Sequence, residues 1–503
     1  MPQPSPQAIE RELCFWPDDL ALFAAASGDR SPLHMDPAFA RRTSFGGRIV
    51  HGGLLSMGML GLLPAAALAN VRSVRSTFPG PVLPGDVCAA RAQAHPARPD
   101  QWEVWLSARG KVVARLVAST GDREPAGVDR ASMLDRAAGQ GAAGPAEAIT
   151  GEYRTGAELL ELVRRFGLES LDRAVLEGIA WASNVVGMTI PDFDGLCAAV
   201  TIVAAGHPAV DSPAARQWVR LRDHDERTDR MLVEGVLADD AGAPRCLGLI
   251  ECFPFSPTPL PESAALTSEG PVEPEQGAVV VVGGSRGAGA VLALALLARG
   301  HVVHVIYSSS SDCAAELRRL AGPYATRLVL HRTDAGDRTA VAELGDAIAG
   351  TIDGLALCAA APPLPMGFTA ESTAELARYV GRSIDLAAVP LATFLPRLRR
   401  EAGWVVLFSA AAVMEPRREL PQFTAAKAAL EGLARWVSVT TPSARIVVAR
   451  PPRMRTDLVN TPSGRLAATA PEAVVEAVLQ QVDGAGPPGR VSIVEFGRTQ
   501  VSV

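Results

Sequence analysis

Apolar positions recur along this chain with different rhythms, and the changes of rhythm mark three blocks. In the first, a helical spacing from Pro17 to Ser27 leads into a loop carrying Gly28, Asp29 and Pro32. A nearly all-round apolar run from His51 to about Leu63 then predicts a helix that must be covered on every side. Strand-like runs follow at 71–78, 86–95, 101–109 and 111–119, separated by turn signals at Pro79-Gly80, Pro84-Gly85 and Arg109-Gly110. One buried helix followed by antiparallel strands is an α+β layout. The second block repeats the plan, with a helical stretch from Leu171 to Val186 ahead of strands near 196–204, 215–222, 230–237 and 244–252.

The third block changes character. Val279 to Val282 is fully apolar, Gly283 to Gly289 is a glycine loop, and Ala290 to Leu297 is helical. Apolar runs return at Val302–Ile306, Arg327–Leu330, Gly354–Cys358, Trp404–Phe408 and Arg445–Val448, with helical segments between. Alternating strands and helices predict a doubly wound parallel sheet. Two spacer-like stretches separate the blocks. An Ala/Gly/Asp-rich segment covers 121–150, and a proline-rich one covers 254–276. The expected domains are therefore 1–120, 151–253 and 277–503.

Composition narrows the class. The 503 residues are 48% apolar and 20% charged, which excludes a wholly disordered chain. A net charge of −6 offers no basic stripe for nucleic acid or an anionic membrane. The longest apolar stretch, Leu54 to Ala69, is interrupted by Gly58, Gly61 and Pro64 and is too short to span a bilayer. Seven cysteines with no C-x-x-C pair read as free thiols, and no basic-then-apolar leader is visible, so a cytoplasmic location is expected. Of 48 basic residues only Lys111 and Lys427 are lysines, so each lysine invites a reason.

The candidate chemistry of the first block lies in two short segments. Asp29 and His34 sit in Gly28-Asp29-Arg30-Ser31-Pro32-Leu33-His34, where a proline-stiffened loop can bring a carboxylate and an imidazole to one water. Ile49-Val50-His51-Gly52-Gly53 opens the apolar helix, whose first backbone N–H groups, on Gly52 and Gly53, can donate to a developing enolate oxygen. An acid–base pair beside an oxyanion site suits proton movement alpha to a thioester carbonyl. These segments resemble the MaoC-like, R-specific enoyl-CoA hydratase and dehydratase family. Its Gly-Asp-x-Asn-Pro-x-His loop supplies the catalytic pair, and its Ile-Val-His-Gly segment starts the central helix of a hotdog fold. Asp29, Pro32, His34, Val50, His51 and Gly52 match, and Ser31 stands where the family usually has Asn. His51 is expected to shape the helix start, and Asp86 to serve a turn. The second block lacks the loop and reads as a degenerate hotdog, a silent partner that completes an acyl tunnel.

In the third block Gly283-Gly284-Ser285-Arg286-Gly287-Ala288-Gly289 follows a strand and opens a helix, the setting in which backbone N–H groups receive a pyrophosphate. The G-x-x-x-G-x-G spacing resembles the short-chain dehydrogenase/reductases. That resemblance implies cofactor contacts from Gly283, Ser285, Arg286, Gly287, Gly289, Asp334 and Lys427, with NADP favoured over NAD by Arg286. The family's Tyr-x-x-x-Lys reads Phe423-Thr424-Ala425-Ala426-Lys427 here, and a phenyl ring has no proton to give. The catalytic Ser position falls on Ala410, with Ser409 beside it, and the active-site Asn position on Asp385.

The expected fold is two α+β hotdog modules, the second degenerate, followed by an α/β doubly wound Rossmann-type domain. The expected function is a hydro-lyase acting on 3-hydroxyacyl or enoyl thioesters of coenzyme A or acyl carrier protein, of fatty-acid or polyketide type. It needs no metal and no cofactor for dehydration, carries a pseudo-reductase domain that binds NADP or NAD, and forms a homodimer. The alternatives are a bifunctional 3-ketoacyl reductase and dehydratase, with Ser409 or water as proton donor, and a non-catalytic acyl- or NADP-binding scaffold.

Overall fold

A computed structural model describes residues 8–121, 124–139, 148–191, 195–205, 214–255, 258, 277–460, 464, 468–484 and 489–496. The proline-rich stretch 254–276 thus lies almost wholly outside the described residues. Two compact units result, one of Met1–Ala40 with Gly47–Ser256, the other of Arg41–Gly46 with Pro257–Val503.

The first unit is built on an antiparallel sheet of ten strands among the described residues. They are β1 (Ile9–Cys14), β2 (Ser73–Thr77), β3 (Val87–His95), β4 (Arg98–Ala108), β5 (Lys111–Ser119), β6 (Ile149–Arg154), β7 (Gly195–Ala204), β8 (Ala214–Asp225), β9 (Arg230–Ala238) and β10 (Pro244–Pro254). Their order is β1-β3-β4-β5-β2-β7-β10-β9-β8-β6. Read from each end inward, both halves follow one scheme, with β6 to β10 taking the places of β1 to β5. The repeat suspected from the strand spacing is therefore present in the topology. The halves join where β2 pairs antiparallel with β7, from Ser73 opposite Val203 to Thr77 opposite Ala199.

Each half wraps its sheet around one helix. In the first repeat this is Gly52–Leu60, buried along its whole length except at Gly52. In the second it is Arg173–Met188, started by Asp172, whose carboxylate accepts Ala174 N–H at 2.9 Å. Trp181 fills the second half's core. Its Nε1–H donates to Gln217 at 2.8 Å, satisfying the one polar atom of a fully buried indole. One apolar cluster runs through both repeats, from Phe15, Phe23 and Leu54 to Ile179, Trp181 and Ile202, which is why they form one unit.

The stretch 121–150, expected to be a spacer, contains a helix at Arg130–Ala137. Asp129 caps it by accepting Ser132 N–H, and Met133 buries fully against Val203, Val236 and Leu249 on the outer face of the sheet. A single apolar anchor in an Ala-rich run leaves no helical period to read.

The second unit is a parallel sheet of seven strands among the described residues. These are β11 (Ala278–Val282), β12 (Val302–Tyr307), β13 (Leu328–Arg332), β14 (Ile352–Leu357), β15 (Trp404–Phe408), β16 (Arg445–Arg450) and β17 (Val491–Glu495), in the order β13-β12-β11-β14-β15-β16-β17. Apolar clusters on both faces explain the near-continuous Val/Ile/Leu runs of the central strands. The strand order reverses between β11 and β14, where ligands of such sheets bind. No helix among the described residues is long and apolar enough to cross a membrane.

Candidate active site

The helix Pro17–Ser27 ends on Gly28, whose φ of +74° turns the chain sharply inward. Tyr153 of β6 donates to Ser27 O at 3.2 Å and anchors this turn from the second repeat. Asp29 follows, 2% exposed. Its Oδ1 accepts Ser31 N–H at 3.1 Å, and its Oδ2 accepts the Ser183 hydroxyl at 2.6 Å. Pro32 then begins a short helical turn, Pro32–Met35, that carries His34 into the same pocket.

His34 Nδ1 lies 2.8 Å from Ile49 O. A carbonyl only accepts, so Nδ1 carries the hydrogen and Nε2 keeps its lone pair. His51 lies behind it, fully buried, with ring centroids 3.9 Å apart and planes 29° from parallel. Its Nε2 is 3.3 Å from Asp29 O and donates to it. The polar side-chain atoms of Asp29, His34 and His51 gather within 4.8 Å of one another. The arrangement suits proton transfer.

Charge follows from the surroundings. Burial works against ionisation of Asp29, but the imidazoles of His51 and His34 and the hydrogen bonds from Ser183 and Ser31 outweigh it, holding the carboxyl below its usual range. Burial lowers His34 despite Asp29 and the Ile49 carbonyl. His51 drops to about 3, mainly through burial and then through its neighbour His34. At neutral pH the site holds one carboxylate and two neutral imidazoles.

Gly52 and Gly53 supply the first N–H groups of the central helix, which have no intrahelical acceptor. Together with Asp29, Ser31 and His34 they line one wall of a pocket. The opposite wall comes from the second repeat, through Ile179, Ala182, Ser183, Val186 and Gly187 on its helix and Gly195, Cys197 and Val200 on β7. A β-carbon at Gly187 would overlap Asp29 Oδ1, so only glycine lets the helix approach this closely. The second repeat is thus more than the silent partner expected, because Ser183 binds the candidate catalytic carboxylate. Asp86 is the turn residue foreseen, accepting Leu83 N–H at 2.8 Å and pairing with Arg109.

Comparison with known proteins bears on the same segments. The MaoC like domain profile matches residues 2–101, and the short chain dehydrogenase profile matches 277–464. An (R)-specific enoyl-CoA hydratase from Aeromonas caviae is 37% identical over 108 residues, 21% of this chain and 80% of that protein. The chain belongs to the MaoC-like dehydratase family. A 3-hydroxyacyl-thioester dehydratase Y from Mycobacterium tuberculosis is 30% identical over 132 residues, which cover 25% of this MaoC-like chain but only 40% of that protein. For the second unit, a short chain dehydrogenase from Burkholderia cenocepacia solved with NADP is 21% identical, covering 44% of this chain and 97% of that one, with a TM-score of 0.39.

In the second unit of this MaoC-like chain, the loop after β11 turns tightly into the following helix. Gly283 has a φ of +77°, and a β-carbon there would meet the Ala359 backbone at 2.6 Å. At Gly289 it would overlap Gly283 O, so the loop closes tightly onto the helix Gly287–Ala298. Ser285 is buried within this loop. Arg286 pairs with Asp457 at 3.1 Å. Asp334 holds Arg382 at 2.7 and 2.9 Å and Gly336 N–H at 2.9 Å. Asp385 lies half-exposed on the helix Thr373–Phe394, 4.0 Å from Arg338.

Lys427 is buried, donates to Phe408 O at 2.7 Å and lies 5.6 Å from the centre of the Phe423 ring. Burial lowers its pKa to about 8. Ala410 has no polar side-chain atom. The hydroxyl of Ser409, the alternative donor, donates a hydrogen bond to Glu431 at 2.8 Å, and Glu431 is clamped bidentately by Arg450 at 2.8 Å. The Ser409 hydroxyl is thus already hydrogen-bonded to a carboxylate that Arg450 holds in place.

Proposed function

We propose that the first unit interconverts 3-hydroxyacyl and 2-enoyl thioesters of coenzyme A or acyl carrier protein. The observation that carries the reading is a buried Asp29–His34 pair whose His34 Nε2 keeps a free lone pair beside orphan N–H groups. In elimination the thioester oxygen accepts from Gly52 and Gly53, and His34 Nε2 removes the C2 proton. The C2=C3 bond forms as C3–O breaks, and the same nitrogen returns its proton to the departing hydroxyl, which leaves as water.

One mechanism that the sequence leaves open, beside a single-base one, has Asp29 protonate the hydroxyl. Its ionised state favours another division of labour, because a carboxylate has no proton to give. Asp29 then stabilises the transient His34 imidazolium and orients the water, while Ser183 holds Asp29. Hydration is the same path reversed. The test is turnover of 3-hydroxybutyryl-CoA by wild type, Asp29→Asn and His34→Ala.

The second unit is proposed to bind a dinucleotide without ordinary carbonyl reduction. A dinucleotide would supply a hydride. Gly283, Ser285, Gly287 and Gly289 suit its pyrophosphate, and Lys427 its ribose. With Phe423, Ala410 and the engaged Ser409 at the usual catalytic positions, none of these three residues offers a free proton donor.

A further inference from the structure

The second unit includes a short segment from far earlier in the chain, Arg41 to Gly46. It lies across the carboxyl ends of the parallel strands. Arg286, in the glycine loop after β11, donates from Nη1 to Arg41 O at 2.6 Å. Arg42 stands 3.6 Å from Asp312, which follows β12, and donates to Thr258 O at 3.3 Å. Ser44 Oγ is 3.5 Å from Asn460 O, after β16. Gly46 rests on Pro362, after β14, so closely that a β-carbon would overlap the proline ring, and its φ of +69° also favours glycine. Thr43, in the middle of the segment, is 1% exposed.

The strand order reverses between β11 and β14, so the segment passes over the crevice where ligands of such sheets bind. Its contacts are to the loops that line that crevice. Arg286 is the one cation of the glycine loop Gly283 to Gly289. Its Nη1 is shared between Arg41 O and the Asp457 carboxylate, 3.1 Å away. Asp457 is buried and accepts Thr258 N–H at 3.1 Å, which fixes it beside the loop. A carbonyl and a carboxylate thus engage the guanidinium nearest to where an anionic ligand would approach.

Resting on the dinucleotide reading of this unit, we infer that Arg41 to Gly46 is a built-in strap that a dinucleotide must displace in order to bind. Strap and ligand compete for one crevice. The affinity observed is then the intrinsic one reduced by the fraction of molecules whose strap is lifted. As the strap leaves, Arg286 exchanges Arg41 O for a phosphate oxygen, and no covalent bond changes. A substitution that loosens the strap without touching the glycine loop therefore tightens binding. Loss of an ordinary ligand contact does the reverse.

The test uses the full chain, as wild type and Arg42→Ala, with NADPH and NADH as probes. Titration calorimetry gives the dissociation constants. Trypsin, which cuts after arginine, reports the strap in wild type, and mass spectrometry follows chains that begin at Arg42 or Thr43. Arg42→Ala removes a hydrogen bond and a partly exposed ion pair that hold the strap, so it is expected to bind dinucleotide roughly two- to tenfold more tightly. Binding seen in the variant alone is the extreme of the same result. In wild type, saturating dinucleotide is expected to speed cleavage after Arg41 and Arg42 by about threefold or more, because cleavage follows the population of the lifted state. A dinucleotide that binds but protects these sites, or leaves their cleavage unchanged, overturns the strap and leaves the dinucleotide reading intact. So does an Arg42→Ala chain as heat-stable as wild type that binds no more tightly. Failure of wild type and variant to bind either probe overturns the dinucleotide reading and the strap with it.

Discussion

Ser183 is the residue whose removal tests the two-repeat site most sharply. Its hydroxyl donates to Asp29 Oδ2 at 2.6 Å from a helix that carries no catalytic motif. Ser183→Ala deletes one hydrogen bond to a buried carboxylate, a bond type worth roughly 1.5–3 kcal/mol. If that stabilisation acts in the transition state, kcat/KM falls by roughly 10- to 150-fold. The pH profile moves as well. The lost bond favours the anion, so without it the Asp29 carboxyl rises and the acid limb shifts to higher pH. Ser183→Thr, which keeps a hydroxyl, should restore most of the rate. The assay is dehydration of 3-hydroxybutyryl-CoA, followed by absorbance of the enoyl thioester from pH 5 to 9. A Ser183→Ala enzyme within about twofold of wild type, with an unmoved acid limb, would refute the positioning role.

Two further outcomes are expected. His51 falls to about 3 in the folded chain, whereas an unfolded histidine titrates near 6.5. The unfolded state therefore binds more protons as pH drops below 6.5, and stability present at pH 8 is lost on acidification, by about 2 kcal/mol from this group at pH 5. Urea unfolding of wild type and His51→Gln at both pH values checks this, since the variant should show the shallower dependence and equal slopes would contradict it. For the second unit, titration calorimetry should give a dinucleotide isotherm that Lys427→Ala weakens by about tenfold or more, with no NADPH oxidation toward a 3-ketoacyl thioester in wild type. Steady oxidation by wild type would show that a proton donor has been overlooked.

The central strands and helices were legible because burial imposes a period on them. The helix Pro17–Ser27 and the strand Trp404–Phe408 coincide with their apolar runs, residue for residue. The strands left unread were β1, β6 and β17, which lie at sheet edges. Their side chains are mostly exposed or half-exposed, so no alternation marks them. The Asp29/His34 loop could be read because its members are five residues apart on one turn. Ser183 could not, being 154 residues from Asp29 and joined to it only by the packing of one repeat on the other. The Ser183-Asn184 step, the one polar pair between Gly178 and Met188 of that helix, was the available signal. Ser409 shows the reverse limit, for its place was foreseen but its hydrogen-bond partner, Glu431 on another element, was not.

The measurement that bears most directly on the account is turnover of 3-hydroxybutyryl-CoA by the purified full chain beside Asp29→Asn and His34→Ala. The expected result is conversion to the enoyl thioester by wild type, with both variants slowed by about a hundredfold or more, the range of a lost acid–base group. Variants as fast as wild type would contradict the assignment of Asp29 and His34 as the reacting pair.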